Sequence, residues 1–205
     1  PDTLIIDAKF DSRQRLWITT RFVIYRIDIA TNQVEQYFNS VEQSSEFFLW
    51  GIFEDSQGRI WVKSYKSGVF LLDQESKKYQ SLLDTPPESG GLGVGSTHVI
   101  MESTRGDVWI GSLDDGVARL RAGSEIFTTY LNDSTDQSVC SNRVRDIWED
   151  NQGIIWAATG AGLARFDFSK ENFVCLDDSP FYGLNMRSVF QDSQGNMWAS
   201  LFTGG

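Results

Sequence analysis

The strongest constraint on this chain is that it repeats itself. "FDSRQRLW" (Phe10–Trp17), "EDSQGRIW" (Glu54–Trp61), "ESTRGDVW" (Glu102–Trp109), "EDNQGIIW" (Glu149–Trp156) and "QDSQGNMW" (Gln191–Trp198) are versions of one phrase. The tryptophans stand at Trp17, Trp61, Trp109, Trp156 and Trp198, so successive copies lie 44, 48, 47 and 42 residues apart. A period in the forties is the spacing of a stacked β array such as a propeller. Each copy places Asp11, Asp55, Ser103, Asp150 or Asp192 six residues before its tryptophan, and all but the first place a glycine three before it (Gly58, Gly106, Gly153, Gly195; Gln14 in the first). A short polar side chain that accepts a backbone N–H two residues on, followed by a residue able to turn left-handed, is the chemistry of a tight hairpin loop. The repeated acid and glycine are therefore read as turn-forming, not catalytic.

Strand-like segments flank every turn. "FLWGIFE", "HVIMES", "RVRDIWE" and "MRSVFQ" precede it, and "RIWVKS", "DVWIGS", "IIWAAT" and "NMWASL" follow. A second glycine turn at Gly68, Gly116 and Gly162 leads into "VFLLD", "VARLR" and "LARFD", and a fourth segment ("KKYQSLL", "SEIFTTYL", "ENFVCL") completes the unit. No stretch holds an apolar period of 3.6, so almost no helix is expected. The expected fold is all-β, a β-propeller of four-stranded antiparallel blades. The blades fall at about 1–40, 45–84, 96–131, 142–177 and 184–205, the last incomplete, so that about four and a half blades make a partial propeller. Each tryptophan then packs between neighbouring blades, contributing roughly 2–3 kcal/mol. The long connections 84–97 and 132–142 are rich in Pro, Gly and Ser, as surface loops are. "GGLGVG" lies in the first of them, but it leads into a strand and not a helix, which excludes a dinucleotide fingerprint. The Asp-box of sialidases is excluded too, because Ser56 stands where its acid would be.

Composition narrows the function. A net charge of −10 speaks against nucleic acid and against an anionic membrane surface as partners. Cys140 and Cys175 have no metal-ligand spacing, and with His98 as the one histidine they build no zinc site; no metal and no cofactor is expected. The pair is either a disulfide of an oxidising compartment or two buried thiols. A single histidine with no nucleophile or carboxylate set beside it in sequence makes an enzyme the weaker reading.

The stretch "SNRVRDIWEDNQGIIWAATGAGLARFD" (Ser141–Asp167) resembles the two-component regulator propeller repeat, with its Asp-x-x-Gly turn, tryptophan, small-residue strand end, Gly-Leu and aromatic-Asp close. "IFEDSQGRIWVKSYKSGVFLLD" and "SVFQDSQGNMWASLFTGG" resemble it as well, whereas the first copy departs most, with Gln14 and Val23 in place of the two glycines. The resemblance implies a periplasmic, non-catalytic sensor domain of a bacterial inner-membrane receptor whose output is a histidine kinase or a diguanylate cyclase. It implies a small molecule or glycan fragment as the signal and a membrane-anchored parent protein. A docking scaffold for proteins is the alternative, and a propeller lyase or hydrolase a more distant one. Unpaired blade faces imply a homo-oligomer.

One column of residues suggests where a ligand would touch. Eleven positions before the tryptophans stand Trp50, His98, Arg145 and Arg187, with Ile6 in the first copy; two positions later the residues are Ile52, Ile100, Ile147 and Val189, which is plain core. The start of a propeller's innermost strand lies at the mouth of its central channel, where arginine forks suit carboxylate or sulfate and tryptophan suits a sugar face. Arg143, Tyr65, Tyr182 and Phe181 are weaker candidates on adjoining strand ends and loops. The competing reading has these side chains capping neighbouring strands or pairing with Asp146, Asp114 and Asp115.

Overall fold

The computed structural model describes residues 4–39, 48–82, 92, 95–135 and 137–202. The long connection 84–97 lies for the most part outside them.

Every regular element among the described residues is a β-strand. They are β1 (Ile5–Phe10), β2 (Leu16–Thr20), β3 (Val23–Asp28), β4 (Gln33–Asn39), β5 (Phe48–Glu54), β6 (Ile60–Tyr65), β7 (Val69–Leu72), β8 (Tyr79–Ser81), β9 (Thr97–Glu102), β10 (Val108–Ser112), β11 (Val117–Leu120), β12 (Phe127–Tyr130), β13 (Val144–Glu149), β14 (Ile155–Thr159), β15 (Gly162–Asp167), β16 (Asn172–Cys175), β17 (Met186–Gln191) and β18 (Met197–Leu201). They form four four-stranded sheets in simple meander order, β1–β4, β5–β8, β9–β12 and β13–β16, and a fifth sheet of β17 and β18. The strand pairings among the described residues are antiparallel, so each sheet is a propeller blade in the expected order. The chain divides into two compact units. The first is residues 1–84 with 95–97, and the second is 85–94 with 98–205.

The repeated turn is built as its residues dictate, and it does more than turn. In four copies one carboxylate oxygen of the acid accepts the backbone N–H groups two and four residues on, as Asp55 Oδ1 does from Gln57 (3.1 Å) and Arg59 (2.9 Å). The glycine three residues on takes φ near +75° at Gly58, and Gln14 adopts the same left-handed conformation at φ 61°. The second oxygen has a role that the sequence pattern does not announce. It accepts the indole N–H of the copy's own tryptophan at 2.8 Å in all four cases: Trp17 to Asp11, Trp61 to Asp55, Trp156 to Asp150 and Trp198 to Asp192. One side chain thus closes the loop and fixes the ring. In the third copy Ser103 is too short to do both, and the buried indole N–H of Trp109 has no hydrogen-bond partner.

In the first unit Trp17 packs with Leu49, Ile52, Ile60 and Val62 of the second blade. In the second unit Trp109 packs with Val144, Ile147, Ile155 and Phe166 of the fourth, its ring centroid 4.9 Å from that of Phe166. Trp156 lies against Met186, Val189 and Ala199 of the fifth. Trp17, Trp61 and Trp109 are wholly buried, Trp156 partly, and Trp198 is 55% exposed. The inter-blade role expected for all five rings is therefore visible for Trp17, Trp109 and Trp156, while Trp61 is buried and Trp198 is exposed. A second device recurs beside the rings. Ser12 donates its N–H and hydroxyl to Glu54 of the next blade (2.6 and 2.9 Å), Thr104 does the same to Glu149 (2.6 and 2.7 Å), and Asn151 donates its N–H to Gln191 (2.8 Å).

Cys140 and Cys175 are joined in a disulfide, with 4.9 Å between their Cα atoms. It ties the connection before β13 to the end of β16 and closes a loop of 35 residues in sequence separation. Of the two readings left open by the sequence, the bridge is the one the fold adopts.

Candidate functional site

The column of residues that begins the inner strands has a backbone cause. In four of the inner strands, β1, β5, β13 and β17, the pairing with the neighbour slips by one residue, between Ile5 and Asp7, Leu49 and Gly51, Val144 and Asp146, and Met186 and Ser188. The residue left without a counterpart is Ile6, Trp50, Arg145 or Arg187. A β-bulge takes its extra residue out of the ladder and re-aims its side chain. The bulge thus takes these positions out of the strand pairing and leaves each side chain to its own surroundings.

The chain uses some of these side chains itself. Arg145 is buried, donates to Asn185 Oδ1 and to the backbone carbonyl of Met186 (3.0 Å), and lies over the Phe202 ring at 4.4 Å. Burial, with a contribution from nearby Arg143, holds its guanidinium below the usual arginine range. His98 Nδ1 lies 2.9 Å from the carbonyl oxygen of Arg145. Both therefore tie one inner strand to the next, which is the capping reading. Asp146, one residue past the bulge, does the same from the other side: its carboxylate accepts the N–H of Val189 at 3.0 Å. Burial pushes the Asp146 carboxyl above the ordinary range, opposed by the N–H groups of Val189 and Ile147. Among the described residues it pairs with no arginine; Arg143 lies 3.6 Å from Asp114 on an exposed surface and donates to the carbonyl of Leu113. Arg187 is exposed.

In the first unit Trp50 is 38% exposed and meets Tyr65 edge-on, their centroids 6.4 Å apart. Tyr65 in turn stacks on Phe48 at 5.7 Å, and the guanidinium of Arg21 lies 4.1 Å over Phe48. Beside this group is a cleft of about 310 Å³ lined by Leu4, Ile6, Arg21, Phe48, Leu49 and Trp50. Two bulge residues, Ile6 and Trp50, thus share one apolar hollow with a cation on its rim. Arg21 and Phe48 carried no sequence signal, because neither belongs to the repeated column. Behind them Gly51 has φ +141°, and a Cβ there would stand 2.3 Å from Asp7 Oδ2, so the close approach of β1 to β5 requires glycine at this place. Lys63 pairs with Gly51 across the hairpin, and burial, reinforced by Lys9 and opposed by Asp7, holds its ammonium below the usual range.

In the second unit Tyr182 is 57% exposed in the connection after β16. It borders a polar cavity of about 390 Å³ whose wall includes the Cys140–Cys175 bridge, Asn132, Thr135 and Asp177. Phe181 belongs to the apolar cluster around Met186 and Leu163. The sequence candidates thus fall into separate groups. Trp50 and Tyr65 stand together, His98 and Arg145 are joined to each other, Arg143 pairs outward, and Arg187 and Tyr182 are exposed. Among the described residues, no group of three or more His, Cys, Asp or Glu side chains is arranged to hold a metal ion.

Compared by sequence, the chain matches no protein-family model and no curated protein. Compared by structure, it is similar to the extracellular domain of a protein described as a hybrid two-component system from B. thetaiotaomicron. The TM-score is 0.71 at 19% identity, over 98% of this chain and 27% of that one. It is also similar to virginiamycin B lyase from Staphylococcus aureus, with a TM-score of 0.66 at 14% identity, over 98% of this chain and 64% of the lyase. A third likeness is PorZ, a bacterial surface component of the type-IX secretion system of Porphyromonas gingivalis, with a TM-score of 0.67 at 12% identity, over 96% of this chain and 31% of that one. The chain spans about a quarter of the length of the first protein and under two thirds of the second. At these identities the likeness shows the fold, which is that of the propeller domains.

Proposed function

We propose that this chain is part of a non-catalytic, extracytoplasmic sensor propeller of a bacterial signalling receptor. The observation that carries the reading is the agreement, over 98% of the chain, with the fold of an extracellular two-component domain, joined to the repeat phrase the sequence displays. The disulfide supports the compartment, since such bridges persist where the surroundings are oxidising. The signal is a small molecule or glycan fragment, and its contact point is the cleft of Trp50, Ile6, Phe48 and Arg21. Trp50 and Phe48 offer apolar ring surface to the C–H face of a sugar, and Arg21 offers a fork to a carboxylate or sulfate. Arg145 and His98 serve the scaffold instead, holding the inner strands in place. The output, a histidine kinase or a diguanylate cyclase, belongs to the parent receptor.

The lyase reading has the fold in common but a different requirement. A lyase of this fold is catalytically inactive with one histidine replaced by alanine. Here the one histidine of the chain has its Nδ1 against a backbone carbonyl, where it braces strands. The test is a thermal-shift screen with defined di- and trisaccharides, neutral and uronic-acid-containing. A stabilising ligand raises the melting temperature by mass action, and Trp50→Ala or Arg21→Ala abolishes the rise while Arg187→Ala leaves it. A rise lost on Arg187→Ala and kept on Trp50→Ala would move the site to the second unit. A chain that no sugar stabilises, and that retains a protein partner through its blade faces, would favour the scaffold.

A further inference from the structure

We propose that the polar cavity of the second unit binds a small hydroxylated amine, whose ammonium group is met by Asp177 and the side-chain oxygen of Asn132. The cavity, of about 390 Å³, has the size of a small-ligand site. It opens between two consecutive connections, the one from β12 to β13 and the one from β16 to β17. Its lining residues stand in those connections and at the end of β16, none of them on the first or the fifth blade.

Both connections are held by bonds of their own. In the first, Asn132 donates its N–H to Asn142 Oδ1 and its Nδ2 to the carbonyl of Val139, both at 2.7 Å, and Ser138 Oγ donates to the carbonyl of Thr135 at 2.8 Å. In the second, the N–H of Tyr182 donates to the carbonyl of Ser179 (3.1 Å) and that of Gly183 to Ala161 (2.9 Å). Gly162 lies beneath with φ +130°; a Cβ there would stand 3.2 Å from the carbonyl oxygen of Phe181, so glycine lets this connection settle on the start of β15. The Cys140–Cys175 bridge then joins the first connection to the strand from which the second departs. A site ordered before its ligand arrives avoids the cost of ordering it on binding.

What the cavity offers is acceptors. The bond to Val139 fixes which way the Asn132 amide faces, because a carbonyl can receive only from the nitrogen; its Oδ1 receives no hydrogen bond among the described residues. Thr135 spends its hydroxyl hydrogen on Asp133 Oδ1 at 2.6 Å, which leaves its oxygen to accept. The exposed carboxylate of Asp177 has neither a hydrogen bond nor an ion pair among the described residues. Among those residues no Lys, Arg or His side chain lines the cavity. An anion would find nothing to receive it there, whereas an ammonium group, with three donors and no acceptor, suits such a lining. The net charge of −10 favours the approach of a cation. Tyr182, 57% exposed, adds a ring face for the ligand's C–H groups or its charge, and the Ser134 hydroxyl can bond a ligand hydroxyl.

This site differs in kind from the apolar cleft at Trp50, which belongs to the first unit. Isothermal titration calorimetry of the 205-residue chain with D-glucosamine, a hydroxylated amine, tests it against D-glucose, the same ring without the ammonium, at equal ionic strength. Glucosamine should bind saturably, and glucose at least about tenfold more weakly, the worth of one charge-assisted hydrogen bond. Asp177→Asn, an isosteric change at an exposed position, should weaken glucosamine by about tenfold as well. Tyr182→Ala should weaken it too, and Trp50→Ala should leave it unchanged. The absence of saturable glucosamine binding overturns the proposal, as does equal binding of the two sugars or undiminished binding by Asp177→Asn. Glucosamine binding that is lost in Trp50→Ala and kept in Asp177→Asn also overturns it, and assigns the amine to the first unit's cleft.

Discussion

Replacing Asp55 by alanine removes three kinds of partner at one stroke. The indole N–H of Trp61 loses its acceptor at 2.8 Å while its ring stays wholly buried. An orphaned donor of that kind costs about 1–3 kcal/mol. The backbone N–H groups of Gln57 and Arg59 lose theirs as well, and because the loop is partly open to water these bonds count for about 0.5 kcal/mol each. The Arg59 pairing at 2.6 Å adds little, since that arginine side chain is 35% exposed and water screens it. The total is about 3 kcal/mol. At about 2–4 °C per kcal/mol for a chain of this length, the melting temperature should fall by roughly 6–12 °C. Differential scanning calorimetry on Asp55→Ala reads it directly. Asp192→Ala is the control, because it breaks the same set of bonds beside a ring that water already reaches. Its cost should be a small fraction of the first. A loss below about 1 kcal/mol for Asp55→Ala, or equal losses for the two, would refute the view that burial of the indole makes the acid indispensable.

Three further outcomes follow from the same structure. Ser103→Asp should stabilise by about 1 kcal/mol in chemical denaturation, because it offers the orphaned Trp109 N–H an acceptor; the neighbouring Asp107, held by Arg119, limits the gain. Reducing the Cys140–Cys175 bridge, or replacing both residues by serine, should cost roughly 3–4 kcal/mol in the chain-entropy account of a loop this long, measured as a lowered urea midpoint. In acid, hydrogen bonds from Trp198 and then Asn196 hold Asp192 down to about 2, and bonds from Lys77 and Arg26, against some desolvation, hold Glu35 down to about 2. A depressed carboxyl stabilises fully above its unfolded value near 4 and loses that stability as pH falls through its folded value. Tryptophan fluorescence in an acid titration should therefore show a transition between about pH 4 and pH 2, smaller in Asp192→Asn.

The blades were legible because their cause is local. A left-handed residue, a loop-closing acid and alternating apolar segments announce a hairpin within a dozen residues, and five repetitions turn a weak signal into a strong one. Even Gln14, which lacks the glycine, follows the rule through its φ of 61°. What escaped is what depends on distance across the fold. Nothing in "EDSQGRIW" says that the second oxygen of Asp55 will turn back to Trp61, because that depends on how the ring lies against the next sheet. The column of Trp50, Arg145 and Arg187 stands at a constant distance from the tryptophans, but the bulge that sets it apart is a matter of register between strands. Nor could counting distinguish Arg145, consumed by Asn185 and Met186 some 40 residues on, from exposed Arg187. The sequence leaves the cysteines open for a similar reason, since a separation of 35 says nothing of the 4.9 Å between their Cα atoms.

The bulge at the head of four inner strands has a consequence for how such a protein changes over time. A side chain with no counterpart across the ladder answers to no pairing rule, so its identity can drift while the sheet beneath stays intact. Within this one molecule that position already holds isoleucine, tryptophan and two arginines. Where that side chain is exposed, as at Trp50 and Arg187, it can be exchanged without disturbing the strand pairing beneath it, whereas Arg145 is committed to holding its neighbours.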